Sequence, residues 1–195
     1  MRIVAGRHRG RKLNAPPGED TRPTSDRARE ALLNILERGP PRLRGCRFLD
    51  LFAGTGAVAL EALSRGAASA VLVENVRPAV ASIRANIAAC GEGRRAQLLT
   101  DDAAKLGRYS GEPFDIAFLD PPYLSGLLPP TLGRLARGGW LAPGARVVCE
   151  LAADEVLELP AVALEAEDQR RYGAARLVFL RFGTPAGGAK LATLP

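Results

Sequence analysis

Short apolar runs alternate along most of the chain with segments whose apolar residues recur every three or four positions. The runs predict strands at 47–51, 70–73, 97–99, 114–119 and 146–149, with two more near 155–164 and 176–182. The periodic segments predict helices at 57–65, 78–91, 102–106 and 127–137. Strands that alternate with helices indicate an α/β fold with a parallel sheet covered on both faces. Since no clear helix separates the last two of the seven strands, we expect them to form an antiparallel hairpin at the sheet edge.

The ends of the chain differ in composition from its middle. Residues 1–20 predict a basic hairpin or arm, because apolar residues flank the turn-prone stretch 6–10. Residues 21–183 form the predicted main domain, in which Thr24 is placed to cap a helix that stops at Gly39. Residues 184–195 are rich in Gly, Pro and Ala and are expected to be a flexible tail.

Composition limits the kinds of chemistry that the chain can perform. Of its 195 residues, 47% are hydrophobic and 25% charged, as in soluble globular proteins, and no apolar run is long enough to span a membrane. We expect a cytoplasmic monomer. The single histidine, His8, argues against a Ser-His-Asp triad, and the three cysteines form no Cys-x-x-Cys pair, so no metal site is expected.

Positive charge is concentrated at the N-terminus. The formal net charge is +6, and five basic residues precede the first acid, Glu19. A basic surface of this kind favours a polyanionic partner. The candidate nucleic-acid contacts are Arg7, Arg9, Arg11 and Lys12. The alternative is that these residues form an ordinary solvated face.

A glycine-rich turn follows the first strand directly. It is written Asp50-Leu51-Phe52-Ala53-Gly54-Thr55-Gly56 and leads into a helix, where glycines let a ligand approach the backbone closely. The turn lacks both the full Gly-x-Gly-x-x-Gly spacing and the lysine of a P-loop. Asp50 would repel a pyrophosphate but attract the ammonium and sulfonium groups of S-adenosylmethionine. We therefore predict contacts with this cofactor at Asp50, Phe52, Ala53, Gly54, Thr55 and Gly56; a locally capped tight turn is the alternative.

Acids also end the next two predicted strands. Glu74, followed by Asn75, is placed to accept hydrogen bonds from the hydroxyls of a ribose. Asp102 could accept from the amino group of an adenine, and Ala103 could offer its backbone N–H. Acids that end three successive strands support a site for S-adenosylmethionine, although a strand-end acid such as Asp102 is often only a surface residue.

The fourth helix-flanked strand ends in Asp120-Pro121-Pro122-Tyr123. An aromatic amino group is a poor nucleophile, because its lone pair is delocalised into the ring. The carboxylate of Asp120 and the backbone carbonyl of Pro121 could accept its two hydrogens, and consecutive prolines would hold these acceptors in place. Tyr123 offers a ring on which an extruded base can stack, worth roughly 1–3 kcal/mol. The segment therefore predicts methylation of a base amino group by residues 120–123.

These features together resemble the RsmD family of bacterial small-subunit ribosomal RNA guanine-N2 methyltransferases. The matching segments are 6–13, 22–30, 50–56, 60–67, 73–74, 119–123 and 172–173. The resemblance implies a Rossmann-like class I methyltransferase fold with an N-terminal hairpin, S-adenosylmethionine as methyl donor, and guanine N2 in 16S ribosomal RNA, within an assembling 30S particle, as target. It also implies that the block from Arg22 to Thr24 lies near the methionine end of the cofactor, with Thr24 at the cofactor and Arg22 at the nucleic acid. Tyr123 departs from the family, which often has Phe there.

Two other functions fit the same residues. A methyltransferase acting on adenine N6, or on another base amino group in DNA or RNA, would present its target to the same acceptors. A nucleic-acid-binding module that keeps the fold without turnover is the second alternative, but such a module would not need the acids at 50, 74 and 120. The N-terminal arm and the Arg22–Thr24 block favour ribosomal RNA.

Overall fold

The computed structural model describes residues 1–15 and 26–183. Its strands are β1 (Arg47–Leu51), β2 (Ser69–Val73), β3 (Ala96–Leu99), β4 (Phe114–Leu119), β5 (Leu141–Ala152), β6 (Leu164–Tyr172) and β7 (Ala175–Phe182). Its helices are α1 (Asp26–Arg38), α2 (Ala57–Ser64), α3 (Arg77–Cys90) and α4 (Leu128–Arg137), with a short 3₁₀ turn at Ala103–Lys105. None of the helices in this described part of the chain is both long and apolar enough to cross a membrane.

The strands form one sheet in the order β3-β2-β1-β4-β5-β7-β6. Strands β1 to β5 pair in parallel, whereas β7 runs antiparallel to both β5 and β6. The predicted mostly parallel seven-stranded sheet with an antiparallel edge hairpin is confirmed. The winding direction of the sheet reverses between β1 and β4, and in folds of this kind ligands bind at that reversal, beyond the carboxyl ends of the strands.

Alternate residues of the central strands are buried in two separate apolar cores. Phe48, Leu72 and Phe118 belong to the first core, which includes side chains of α1, α2 and α3. Leu49 and Leu119, one position along the same strands, belong to the second core, which includes side chains of α4. Since both faces of the sheet are covered, only its edges and the strand ends remain open to a ligand.

The N-terminal residues form a tight hairpin that lies against the first core. Ile3 N donates to Arg11 O at 2.9 Å, and Gly10 N donates to Ile3 O at the same distance. Ile3 and Leu13 are buried among the residues of this core. We call residues 1–13 the arm; their apolar residues hold them to the body of the protein.

Polar contacts fix the arm to α2 and α3. Ser64 Oγ accepts a hydrogen bond from His8 N at 2.9 Å and donates one to Ala5 O at 2.6 Å. The buried Asn86 contacts both backbone groups of Asn14, and its amide nitrogen also donates to Thr55 O at 2.9 Å. Asn86 therefore joins the chain just beyond the arm to the glycine-rich turn.

Two predicted strand boundaries are wrong. The strand expected near 155–164 is irregular, and the edge strand is instead Leu164–Tyr172. Leu157 in this irregular segment is buried and belongs to the second core, so its apolar pattern reflects burial without strand pairing. Strand β5 begins at Leu141, five residues before the predicted start, and its pairing with β4 shifts register between Phe114 and Ile116. Thr24, Arg22 and the tail 184–195 lie outside the described residues.

Candidate active site

A cavity of about 840 Å³ opens at the reversal point of the sheet. Its wall includes residues from the carboxyl ends of the parallel strands, as expected for this fold. The cavity is lined by these residues that the sequence predicts for the site: Asp50, Phe52, Ala53, Gly54, Thr55, Glu74, Asn75, Asp102, Ala103, Asp120, Pro121, Pro122 and Tyr123. The fold thus places the predicted cofactor residues and the predicted catalytic segment around one continuous space.

The backbone of the glycine-rich turn adopts left-handed conformations. Phe52 has φ 63°, which is costly for a residue with a side chain, and Gly54 and Gly56 have φ 55° and 75°. A Cβ on Gly56 would lie 2.8 Å from the Leu72 side chain, so this glycine allows the turn to pack on the sheet. Gly56 does not line the cavity. A Cβ on Gly54 would meet no atom within 4 Å, so the turn leaves open space on that side for a ligand.

Asp50 is buried below this turn. Only 1% of it is exposed, and its Oδ2 accepts a hydrogen bond from Ala59 N in α2 at 3.1 Å. Burial raises the pKa of Asp50 from its ordinary 3.8 to about 7; the Ala59 N–H opposes this rise and the nearby Glu74 adds to it. A cationic ligand in the cavity would favour the ionised carboxylate.

Glu74 supports the glycine-rich turn from the end of β2. Its Oε2 accepts from Gly54 N at 2.8 Å, while its Oε1 accepts from Asn75 N and Val76 N at 2.9 Å each. An ionised carboxylate has about four acceptor positions, so these contacts leave capacity for a hydroxyl group. Glu74 can therefore both shape the turn and bind a ligand in the cavity.

Both carboxylate oxygens of Asp102 have partners in the adjoining 3₁₀ turn, unlike those of Asp50 and Glu74. Its Oδ1 accepts from Ala104 N at 2.9 Å, and its Oδ2 lies 3.1 Å from Lys105 Nζ. The hydrogen bond from Lys105 and that from Ala104 N hold the pKa of Asp102 below its ordinary value. Its first contact caps the 3₁₀ turn, and Ala103 beside it is buried in the cavity wall.

The segment 120–123 directly follows β4 and lines the same cavity. Asp120 N donates to Leu51 O at 3.4 Å, which ties the segment to the end of β1. Pro121 is buried, whereas Pro122 is exposed and Tyr123 is partly exposed. Leu124 follows with φ 58° and donates its N–H to Glu155 Oε2 at 3.2 Å. These contacts hold the segment with its tyrosine at the cavity.

Glu150 is a cavity residue that belongs to none of the predicted motifs. It lies in the buried run 147–151 of β5, is 4% exposed, and accepts a hydrogen bond from Tyr123 Oη at 3.3 Å. Glu150 directly follows the strand predicted at 146–149, so the rule that selects Asp50 and Glu74, an acid at the end of a predicted apolar strand, also applies to it. Arg29 and Tyr172 line the cavity as well; they belong to the matching segments 22–30 and 172–173, but the sequence assigns neither of them a role.

The basic residues of the arm lie on a separate surface. Arg7, Arg9, Arg11 and Lys12 are exposed and border a shallow groove with His8. Arg7 pairs with the buried acid Glu92, and His8 Nε2 lies 2.6 Å from the same Oε1 of Glu92. Among the residues that the structure describes, no three His, Cys, Asp or Glu side chains are grouped closely enough to hold a metal ion. The three cysteines are buried free thiols.

Comparisons with known proteins agree on one family. The family model described as conserved hypothetical protein 95 matches residues 1–181. The chain is 41% identical over 150 residues to the ribosomal RNA small subunit methyltransferase D of Escherichia coli, covering 77% of this chain and 74% of that protein. The protein of the same name from Haemophilus influenzae is 33% identical and covers 82% and 83% of the two chains. The solved structure of yhhF from Escherichia coli superposes with a TM-score of 0.82 at 36% identity, over 94% of this chain and 98% of that one. The chain therefore belongs to the RsmD family of ribosomal RNA small subunit methyltransferases.

Proposed function

We propose that this protein transfers a methyl group from S-adenosylmethionine to the N2 amino group of a guanine in small-subunit ribosomal RNA. The observation that carries the proposal is the continuous cavity that joins Asp50 and Glu74 to Asp120 and Tyr123. A methyl transfer needs a donor and an amine in one desolvated space, and this cavity has residues suited to each.

The cofactor half of the cavity fits the chemistry of S-adenosylmethionine. A buried acid at Asp50 suits a cationic ligand, and Glu74 retains acceptor capacity for a ribose hydroxyl. Val76 and Ala79 line the same half and offer apolar surface to an adenine ring. When bound, S-adenosylmethionine supplies a methyl group that the amine takes as its lone pair forms an N–C bond, while the C–S electron pair stays on sulfur.

The other half of the cavity can prepare an aromatic amine for that transfer. The carboxylate of Asp120 and the carbonyl of Pro121 would accept the two amine hydrogens and so orient the nitrogen lone pair. The methylated amine is cationic, and its extra proton can leave to Asp120 or to water. Tyr123 would stack on the extruded base. This half of the cavity therefore contributes orientation and proton acceptance.

Ribosomal RNA is proposed as the substrate on two grounds. The relatives in Escherichia coli and Haemophilus influenzae are named for methylation of small-subunit ribosomal RNA. The exposed arginines of the arm also provide a basic surface for a phosphate backbone. We further propose that the protein acts as a cytoplasmic monomer on an assembling 30S particle.

The proposal is tested by mapping methylated guanines in small-subunit ribosomal RNA after incubation with labelled S-adenosylmethionine. We expect one N2-methylguanine, located by primer extension and identified by mass spectrometry. Asp120→Ala should lower methyl transfer at least about 100-fold, because the amine loses an acceptor, while cofactor binding measured by calorimetry changes little.

Asp154→Ala is the matched control, because Asp154 is an exposed acid that pairs with Arg171 at the surface of the sheet edge. Its activity should equal that of the unmodified protein. If the labelled methyl group is found on an adenine and not on a guanine, the proposed target base is wrong. If Asp120→Ala retains methyl transfer, the proposed role of Asp120 is wrong.

A further inference from the structure

Glu150 and Asp120 occupy equivalent positions on neighbouring strands. The last parallel pair between β4 and β5 joins Leu119 to Cys149, so the next residues along the chain are Asp120, just after β4, and Glu150, within β5. Neighbouring strands are about 4.8 Å apart, so the two acids can present acceptors to adjacent groups on one base edge. Asp120 and Glu150 both line the cavity, together with Tyr123.

Burial makes Glu150 a costly residue unless polar partners compensate it. Only 4% of Glu150 is exposed, and the hydroxyl of Tyr123 donates to its Oε1 at 3.3 Å. Glu150 also lines the cavity, where a ligand N–H can approach its carboxylate. The Tyr123 hydroxyl, which a phenylalanine would lack, therefore helps to orient an acceptor inside the base-binding half of the cavity.

Guanine carries two adjacent donors on the edge that would enter this site, the N1–H and the N2 amino group. We propose that Glu150 accepts the hydrogen bond from guanine N1–H and so selects guanine over bases whose N1 has no hydrogen. Asp120 and Pro121 then receive only the two hydrogens of the N2 amino group. An adenine whose N6 amino group occupied the same acceptors would place its N1 lone pair against the Glu150 carboxylate. Two acceptors would then face each other in a buried site, so adenine is rejected.

The inference rests on the proposed guanine-N2 activity and gives it a specificity-determining residue. A guanine analogue allows the role of Glu150 to be tested separately from the guanine-N2 activity. 2-Aminopurine keeps the exocyclic amine at position 2 but has an unprotonated N1. Small-subunit particles are reconstituted with guanine or 2-aminopurine at the mapped position and compared as substrates by kcat/KM. The unmodified protein should prefer guanine by roughly 10- to 100-fold, the range expected for a lost hydrogen bond to a charged acceptor.

Glu150→Gln should reduce this preference to less than about threefold, because a carboxamide can turn its N–H₂ towards an unprotonated N1. Tyr123→Phe should reduce the preference by a smaller factor, because it removes a hydrogen bond that orients Glu150. Glu158→Gln is the matched control at an exposed acid, and it should keep the full preference.

The ratio of kcat/KM for the guanine particle to that for the 2-aminopurine particle decides between the outcomes. If Glu150→Gln slows both substrates equally and keeps the preference of the unmodified protein, Glu150 is only structural and the inference is overturned. If that variant is inactive, equilibrium binding of the two particles in the presence of S-adenosylhomocysteine gives the same ratio without turnover, and an unchanged binding preference also overturns the inference. Failure of the guanine-N2 activity itself would appear separately, as no N2-methylguanine with the unmodified protein.

Discussion

Glu61 is a fully buried acid at the junction of the arm, α1 and α2. Its Oε2 accepts from Arg29 Nε at 2.9 Å and from Val4 N at 3.2 Å. Its Oε1 accepts from Arg65 Nη2 at 2.8 Å. Arg29 is itself fully buried and also donates to Arg2 O at 2.7 Å. One carboxylate therefore contacts two buried guanidinium groups and one backbone N–H.

Removal of this carboxylate should be strongly destabilising. We expect Glu61→Ala to lower the free energy of unfolding by about 3–5 kcal/mol, because two buried cations would lose this counter-charge. Glu37 is the matched control, since it lies 3.5 Å from Arg65 but is 43% exposed. Glu37→Ala should cost less than about 1 kcal/mol. Denaturant titration measures the free energy of unfolding of each variant. Equal losses of stability in Glu61→Ala and Glu37→Ala would contradict the structural role of Glu61.

Residues that line the cavity are easier to predict from sequence than residues that hold the surrounding elements together. Asp50, Glu74 and Asp120 follow from one rule, that acids at the ends of parallel strands meet at one edge of the sheet. Glu61 and Asn86 lie within helices, and they have partners 57 and 72 positions away in sequence. No local pattern encodes such pairs, so only the packed structure shows them.

The basic residues of the arm lie on a segment that is packed against the rest of the protein. Its charges predict a basic surface, and the burial of Ile3 and Leu13 in the first core and the Arg7–Glu92 ion pair fix that surface to the body of the protein. Its exposed basic residues are thus held in place against α2 and α3. A fixed basic surface loses less conformational entropy on binding than a flexible one.

Neutralising the arm should weaken RNA binding in a salt-dependent way. We expect the double variant Arg9→Gln and Arg11→Gln to lower the slope of log Kd against log salt by up to about 0.9 for each phosphate group that the arm no longer neutralises. Binding is measured with naked small-subunit ribosomal RNA. The control removes two exposed charges from α4, on the opposite face of the sheet, as Arg134→Gln and Arg137→Gln. An identical slope change in both double variants would mean that only net charge matters.

The first strand of the edge hairpin, β6, is the element that the apolar pattern places wrongly. The pattern favours a strand near 155–164, yet residues 155–163 pack as an irregular segment. Strand β6 is mostly polar and exposed because it lies at the edge of the described sheet, with β7 as its neighbour. Strands buried on both faces are mostly apolar, which is why the apolar runs locate β1, β2 and β4 to within one residue.

The stability of the whole molecule depends on pH through the buried Asp50. This residue has a folded-state pKa of about 7, above its ordinary 3.8. Between these values the folded protein binds more protons than the unfolded chain. The contribution to stability is therefore full below about 3.8 and falls as pH rises towards about 7, on the order of 1 kcal/mol per pH unit.

Asp50→Asn should flatten this dependence, because an amide does not ionise and its oxygen can still accept from Ala59 N. The free energy of unfolding of the ligand-free protein is measured at pH 5 and pH 7, and the difference between variant and unmodified protein isolates Asp50 from other titrating groups. Identical slopes for the two proteins would show that the carboxyl of Asp50 does not titrate in this window.

The cavity that holds both halves of the site is continuous, and this has a consequence for inhibition. A single molecule that joins an adenosine to a purine would reach the residues around Glu74 and those around Tyr123 together. Linking two ligands makes the second binding event intramolecular, and the gain in affinity is about 10²–10⁴ where the linker spans both positions. If Glu150 has the proposed role, a guanine in such a bisubstrate compound should bind more tightly than an adenine in the same position.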